Sequence, residues 1–278
     1  MLDPAVHTSW HGVPKGVDRP ADDFAALCDL VRQLCGVDLA QYKRDQMERR
    51  VREWVERRGA AGLDVYAELL RRDTDELDAF LDRVTINVSQ LWRHAEQWDA
   101  LARDVLPEMV RERGRVRAWS AGASYGAEAY TLAAVCREAV PQARVSIVGT
   151  DLDRRMVARA RTGEFSAEDA RTAPSAMLRR HFEPLAGGCW RARAGLRSLV
   201  RFEQGDLLRM PVARGSYELI LCRNTLIFFA EAVRDRLHAR LAEGLAPGGH
   251  LVVGTSERVA DPSALGLVQT HDFIYRKP

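Results

Sequence analysis

Val116-Arg-Ala-Trp-Ser-Ala-Gly-Ala-Ser-Tyr-Gly-Ala-Glu-Ala-Tyr130, read onward to Thr150-Asp151, decides the architecture of this chain. Residues 116–120 are a short apolar run with strand character, and 120–126 form a loop of small residues. Residues 127–139 follow as a helix, and 144–150 as a second apolar strand that ends on Asp151. Strand, glycine loop, helix and strand open a parallel α/β sheet. Ligands of such sheets bind beyond the carboxyl ends of the strands, where the first loop turns into a helix. Gly122 and its small neighbours let the backbone approach a ligand there, and a carboxylate at Asp151 suits the hydroxyls of a ribose. The loop lacks the G-x-G-x-x-G spacing that seats a pyrophosphate and the G-K-[ST] of a triphosphate site. Glu128 occupies the first helical turn instead. An acid there repels phosphate and attracts an ammonium or sulfonium group, although it also serves any helix as a favourable first-turn charge.

Beyond Asp151 the pattern of short strands and helices continues. It predicts a helix over 153–162, strands over 200–203 and 218–222, a helix over 231–244 and a strand over 250–254. A last strand over 273–276 is expected to lie antiparallel at the sheet edge. Gly205-Asp206-Leu207 ends one strand with a second acid, suited to an adenine edge, while Ala246-Pro-Gly-Gly249 reads as a plain turn. Regularity fails between Gly163 and Leu199, which predicts a small insertion beside the sheet.

Upstream the period is that of amphipathic helices. Phe24, Leu27, Leu30, Val31 and Leu34 recur at helical spacing, as do Met47, Val51, Trp54 and Val55, then Leu77, Phe80, Leu81 and Val84. Gly36, the 59–62 stretch and Asp73 punctuate them. The chain thus divides into a loose extension over 1–20, a helical domain over 21–86, a linker and helix over 87–113, and an α/β domain over 114–278.

Composition narrows the function classes. With 46% hydrophobic and 29% charged residues the chain is an ordinary globular protein, and a net charge of +2 offers no field for a nucleic-acid polymer. No apolar run reaches the roughly 20 residues that span a bilayer, so no membrane insertion and a cytoplasmic location are expected. Cys28, Cys35, Cys136, Cys189 and Cys222 are scattered without a C-x-x-C pair, and the histidines show no ligand spacing. Neither a disulfide framework nor a metal site is expected, and Cys136 and Cys222 read as core.

Four further segments, in order, carry a resemblance. They are Val84-Thr-Ile-Asn-Val-Ser-Gln-Leu-Trp-Arg93, Trp119-Ser-Ala-Gly-Ala-Ser-Tyr-Gly-Ala-Glu-Ala-Tyr130, Cys222-Arg-Asn-Thr-Leu-Ile-Phe-Phe229 and Gly254-Thr-Ser-Glu257. Over about 250 residues the chain resembles the CheR-type chemotaxis protein-glutamate methyltransferases. The resemblance implies a doubly wound, class I methyltransferase-like sheet with an N-terminal all-helical domain and an inserted β-subdomain. It implies S-adenosylmethionine as cofactor, in keeping with the cation-seeking Glu128. The implied contacts are Asn87, Ser89, Arg93, Glu128, Asp151, Asp206, Leu207, Arg223 and Asn224, beside Gly122 of the loop. Ser89 keeps the hydroxyl of the family's threonine, and Arg93 is expected to orient the incoming carboxylate or the loop around the cofactor without acting as acid or base. Tyr125, Ala127 and Ala129 depart from the family's loop, and Phe228 replaces its tyrosine.

The implied reaction forms methyl esters on receptor glutamates. A free glutamate is over about 99% ionised at neutral pH, so such an acceptor needs no general base. Between Gln41 and Arg58 lie seven basic residues against four acidic ones, and this helix is expected to dock the acidic methylation helices of a chemoreceptor. The stretch from Phe182 to Trp190 is short for the family's peptide-binding loop, so no binding of a receptor tail is expected. A nucleic-acid methyltransferase is disfavoured, because no [DN]-P-P-[YFW] or Pro-Cys segment is present. The altered loop motivates one alternative, a catalytically weak cofactor-binding signalling or adaptor protein.

Overall fold

The computed structural model describes residues 22–84 and 89–278, so the extension over 1–20 and the candidate Asn87 lie outside the described residues. The helical domain holds α1 (Asp23–Cys35), α2 (Arg44–Arg57), α3 (Leu63–Arg72) and α4 (Thr74–Val84). Asp22 caps α1 by accepting from the Ala25 amide at 3.0 Å, and Gly36 ends it at φ +81°. Phe24, Leu27, Val31, Met47, Val51, Val55, Phe80 and Val84 form one buried core, whereas Leu34, on the same spacing, is exposed in the last turn of α1. Buried Glu76 is satisfied by the Tyr66 hydroxyl at 2.6 Å and by Arg58 Nε at 3.0 Å.

A near-continuous helical segment leads to the second domain: α5 (Ala95–Ala100), a π turn over Leu101–Val105 and α6 (Leu106–Arg113). There β1 (Arg115–Ala121), α7 (Ala127–Ala139), β2 (Arg144–Asp151) and α8 (Arg154–Thr162) form the opening unit. The insertion follows as β3 (Glu164–Phe165), α9 (Ser175–His181), β4 (Phe182–Pro184), β5 (Trp190–Ala192) and α10 (Ala194–Arg197). The chain closes through β6 (Val200–Gln204), β7 (Tyr217–Cys222), α11 (Glu231–Gly244), β8 (Leu245–Val253), β9 (Val268–His271) and β10 (Ile274–Arg276).

The seven-stranded sheet has the order β6-β2-β1-β7-β8-β10-β9, and β3, β5 and β4 form a separate three-stranded antiparallel sheet in the insertion. Pairing is parallel from β6 across to β8 and antiparallel from β8 onward. Two expectations need correction. β10 is antiparallel but sits inside the sheet; the edge belongs to β9, whose largely exposed residues show no alternation to betray a strand. The turn expected at 246–249 is absorbed into β8, where the partner of β7 jumps from Leu245 to His250 and Gly248 takes φ +76°.

Side chains alternate between the two faces of the sheet. Ala118, Ile147, Leu219, Leu221 and Val252 pack with α7 in one core, while Trp119, Ile220, Cys222, Leu251 and Val253 pack with α11 in the other. Helix α7 is buried on nearly every side, and Ala127 and Ala129, the two departures in the loop pattern, have no exposed surface. The domains are joined by backbone bonds, Lys43 N donating to Phe228 O at 2.8 Å and Ala230 N to Gln41 O at 3.0 Å, and by Arg155 of α8, which pairs with Asp78 (3.3 Å) and Asp82 of α4. Between the backbone bonds the Tyr42 and Phe229 rings stack at 4.7 Å. No helix among the described residues is long and apolar enough to cross a membrane.

Two histidines link this core to pH. His238 of α11 and His250 of β8 are buried, and burial lowers each to about 4. The unfolded chain takes up these protons near 6.5 and the folded chain only near 4, so stability falls as the pH drops through that window. The loss approaches about 3 kcal/mol per histidine once both states are protonated. Denaturant titrations from pH 7 to pH 4 are expected to show this decline, and His238→Leu to reduce its slope.

Candidate functional site

The carboxyl ends of β1, β2, β6 and β7 face the helical domain across a cleft of about 410 Å³. Ser89, Arg93, Gly122, Glu128, Asp151, Asp206, Leu207, Arg223 and Asn224 all line it. Residues separated by more than a hundred positions in the chain are therefore brought to one surface.

The loop after β1 is built around backbone proximity. The Gly122 and Ala123 amides both donate to Thr150 O at 2.9 Å, laying the loop over the end of β2. Gly122 holds φ +80°, and a Cβ there would lie 2.5 Å from Thr225 Oγ1, so no other residue fits. Asp151 accepts from the Ser124 amide at 2.7 Å and from the Asp153 amide at 2.9 Å. Burial outweighs these bonds and pushes its carboxyl up to about 6. Gly205 N donates to Asp151 O at 2.9 Å, which draws the β6 loop alongside, and Asp206 braces that loop by accepting from Leu208 N at 2.8 Å.

Glu128 does not stand alone as a bare counter-charge. Its Oε1 accepts from the Ser120 hydroxyl at 2.6 Å, and its Oε2 lies 3.4 Å from Arg223 Nη1. Burial pushes the carboxyl up and the guanidinium down, against their mutual attraction. Arg223 commits three of its five N–H groups: besides the Glu128 contact, Nε donates to Gln97 Oε1 at 2.8 Å and Nη2 to Arg93 O at 2.7 Å, and its guanidinium carbon lies 4.8 Å from the Trp98 ring centre. Its side chain thus holds other parts of the site in place while bordering the cleft.

Arg93 projects into the cleft from a constrained turn. Trp92 and His94 on either side adopt φ +58° and +59°, which costs bulky residues of order 1–3 kcal/mol each. The turn persists because Trp92 N donates to Thr131 Oγ1 at 3.1 Å, while Arg93 O accepts from Trp98 Nε1 at 3.0 Å as well as from Arg223. Asn224 also has a positive φ, +59°, and its amide donates to Glu257 Oε2 at 2.8 Å.

Glu257 is the residue whose importance the motif reading passed over. Buried, it collects the amides of Gly254, Asn224, Leu226 and Ile227 at 2.6, 2.8, 2.8 and 3.2 Å, clamping the segment after β7. A Cβ on Gly254 would lie 2.7 Å from the Asn224 amide, so the clamp also requires that glycine. Ser120 and Gln97 were likewise silent; the four-segment pattern contained Ser120, but its use as a donor to Glu128 appears only in three dimensions.

Several arginines of the basic helix, Arg44, Arg49, Arg52 and Arg57 among them, are exposed, but part of that charge is spent within the helical domain. Arg44 is paired with Asp22 at 2.7 Å, and Arg52 with Asp23 and Glu48 at 2.7 Å each. Arg50 turns inward, donating to Val84 O at 3.3 Å and lying 5.5 Å from the Phe228 ring centre on the cleft wall.

A doubly wound sheet whose first loop leads to Glu128 and Asp151 at the cleft fits the S-adenosylmethionine-dependent methyltransferases, and similarity to known proteins shows that class. Residues 87–274 match the family model described as CheR methyltransferase, SAM binding domain, and residues 22–85 match the CheR methyltransferase all-alpha domain. The chain belongs to the CheR methyltransferase family. It is 32% identical to a chemotaxis protein methyltransferase of Listeria monocytogenes over 256 residues, covering 92% of this chain and 97% of that one. Similarity to the chemotaxis protein methyltransferase of Salmonella typhimurium is 31% identity, covering 86% and 84%. For chemotaxis protein methyltransferase 1 of Pseudomonas aeruginosa it is 29%, covering 91% and 97%. The lining fits the cofactor: Asp151 offers a fixed acceptor for hydroxyls, and Glu128 leaves the start of α7 unsuited to phosphate.

The raised Asp151 gives binding a pH signature. An ionised carboxylate accepts from hydroxyls, and a proton competes with them once the pH falls below about 6. The dissociation constant for S-adenosylhomocysteine, measured calorimetrically from pH 8 to pH 5, is expected to rise below pH 6 by at most about tenfold per pH unit. Asp151→Asn is expected to flatten that profile and to weaken binding about tenfold at pH 7.5, the scale of one charge-assisted hydrogen bond.

Proposed function

We propose that this methyltransferase esterifies glutamate side chains on the cytoplasmic methylation helices of a chemoreceptor. Arg93 carries the reading: it is a cation presented to the cleft from a strained turn that three separate hydrogen-bond donors hold in place. The names of the relatives add chemotaxis as the setting.

The cofactor supplies an electrophilic methyl group on a positively charged sulfur. The chain has to bind, orient and desolvate. Asp151 takes the ribose hydroxyls, Asp206 and Leu207 the adenine edge, and Ser89 and Asn224 complete the polar lining. Glu128, steadied by Ser120, balances the cationic end of the cofactor. Arg93 orients the incoming carboxylate without exchanging a proton, since the acceptor arrives ionised. Because transfer annihilates charge, an ion pair that favoured only the starting carboxylate would slow the reaction. Arg93 is therefore useful as a guide, and its flexible stem suits that purpose better than a rigid buried pair would.

Docking of the acidic receptor helices falls to the basic residues between Gln41 and Arg58 that keep an exposed charge. Arg49 is 72% exposed, with a 3.8 Å partner in Glu53 that water screens. Arg44 and Arg52 are already committed within the domain, which leaves fewer free charges for a partner than the composition suggested. Binding is independent of a receptor tail in this reading.

With methyl-labelled cofactor and candidate receptors, the expected result is label on the receptor that mild base releases, as a carboxyl ester requires. Base-stable label would point to another acceptor, and cofactor binding with no transfer to any receptor would favour the adaptor alternative. Arg93→Ala is expected to lower turnover about a hundredfold at saturating cofactor and receptor. Receptor methylation is also expected to weaken from 50 to 300 mM salt, and Arg49→Glu to reduce that dependence.

A further inference from the structure

The departure at Tyr125 has a partner that none of the motif segments contains. Tyr125 is buried in the loop after β1, and its hydroxyl reaches both the Ser89 carbonyl and, at 2.8 Å, Asp169 Oδ1. Both are acceptors, so the single phenol proton serves two groups, and the phenol stays protonated because burial and the neighbouring Asp169 charge push its ionisation up. Asp169 belongs to the insertion, and every polar atom it has toward this region is in use. Its Oδ2 accepts from Arg159 Nη2 at 2.7 Å and from the Ser166 amide at 2.9 Å, and its backbone oxygen accepts from Leu91 N at 2.9 Å. Arg159 in turn lies 3.9 Å above the Tyr125 ring. One turn further on, Thr172 Oγ1 donates to Leu91 O at 2.6 Å.

The segment 89–93 is therefore gripped from the insertion side at Ser89 and Leu91, just ahead of the strained turn that presents Arg93. Among the described residues, Ser89 O and the Leu91 backbone are held by these insertion-side contacts, whereas Gly122, Glu128 and Asp151 have anchors of their own.

We infer that Tyr125 and Asp169 are positioning residues for methyl transfer: together they hold the 89–93 segment in the register that presents Arg93 to the cleft. This rests on the proposed role of Arg93, but the pair also makes a structural claim that is separable from it. The hydroxyl of Tyr125, absent from phenylalanine, is the working part; the ring alone still packs against Phe165 and Arg159.

The test uses the full chain, wild type, Tyr125→Phe, Asp169→Asn and the double variant, with Glu168→Gln as control. Glu168 is exposed in the same turn, and its side chain pairs with exposed Arg171 at 3.0 Å. In the cofactor-free proteins, hydrogen exchange of the Leu91 and Trp92 amides is measured by mass spectrometry. With labelled cofactor and receptor, kcat and the KM for cofactor are determined. Tyr125→Phe is expected to expose the two amides, lower kcat between about ten- and a hundredfold, and change the cofactor KM less than about threefold. The double variant is expected to be no worse than the poorer single, because the residues act as one unit. Control exchange and turnover remain at the wild-type level. Wild-type protection of the amides in both single variants would overturn the inference, as would full turnover despite lost protection, or a loss confined to the cofactor KM. If wild type methylates no receptor, the proposed function fails on its own, and the exchange measurement still decides whether Tyr125 and Asp169 hold the segment.

Discussion

A guanidinium removed from water must be surrounded by acceptors, and meeting that demand for Arg223 organises the whole site. Its acceptors are Gln97 at the start of the interdomain helix, the carbonyl of Arg93 and the carboxylate of Glu128. Deleting one partner of such a buried cation costs of order 3–5 kcal/mol, because the charge is left uncompensated. One cation thus fixes the relative positions of the end of β7, the first turn of α7 and the segment that precedes α5. Trp98 closes the cage with the face of its ring.

Around that cage the acids divide between two tasks. Glu257 is spent wholly on backbone amides, four of them, and leaves no acceptor for a ligand. Asp151 spends one oxygen on each of two amides and still borders the cleft, where burying its charge is costly. Glu128 lies between these cases, tied to one hydroxyl and one long ion pair. The acids that border the cleft are thus the ones whose charge the chain leaves least compensated, Glu128 and Asp151, each with its ionisation pushed up by burial.

How much of this was readable beforehand depends on whether the cause was local. Helices α7 and α11 were legible to the residue, because 3.6-residue periodicity and flanking breakers are local properties. β9 was not, since four mostly exposed residues carry no alternation and their strand state comes from pairing with β10. Nine residues that line the cleft were legible through their motif context, whereas lining residues outside the motifs, such as Asp78, Arg155 and Gln204, were not. Nor was the bonding of any of them. That Glu128 shares its charge with Arg223, ninety-five positions away, or that Arg44 is spent on Asp22, follows from tertiary geometry that no spacing rule encodes. The same limit concealed the use of Ser120, Gln97 and Glu257. Tyr125 was legible only as an anomaly; its meaning required Asp169, forty-four positions downstream.

The two domains meet through main-chain hydrogen bonds, Lys43 to Phe228 and Ala230 to Gln41, with a ring stack between them. Main-chain donors and acceptors are supplied by every residue type, apart from the amide that proline lacks. Part of the seam is accordingly written in the backbone, and Arg155 of α8, paired with Asp78 and Asp82 of α4, adds a charged side-chain latch beside it. Exposed Arg49 pairs within its own helix and takes no part in that joint, so the outer face of α2 can change its charge while the joint survives.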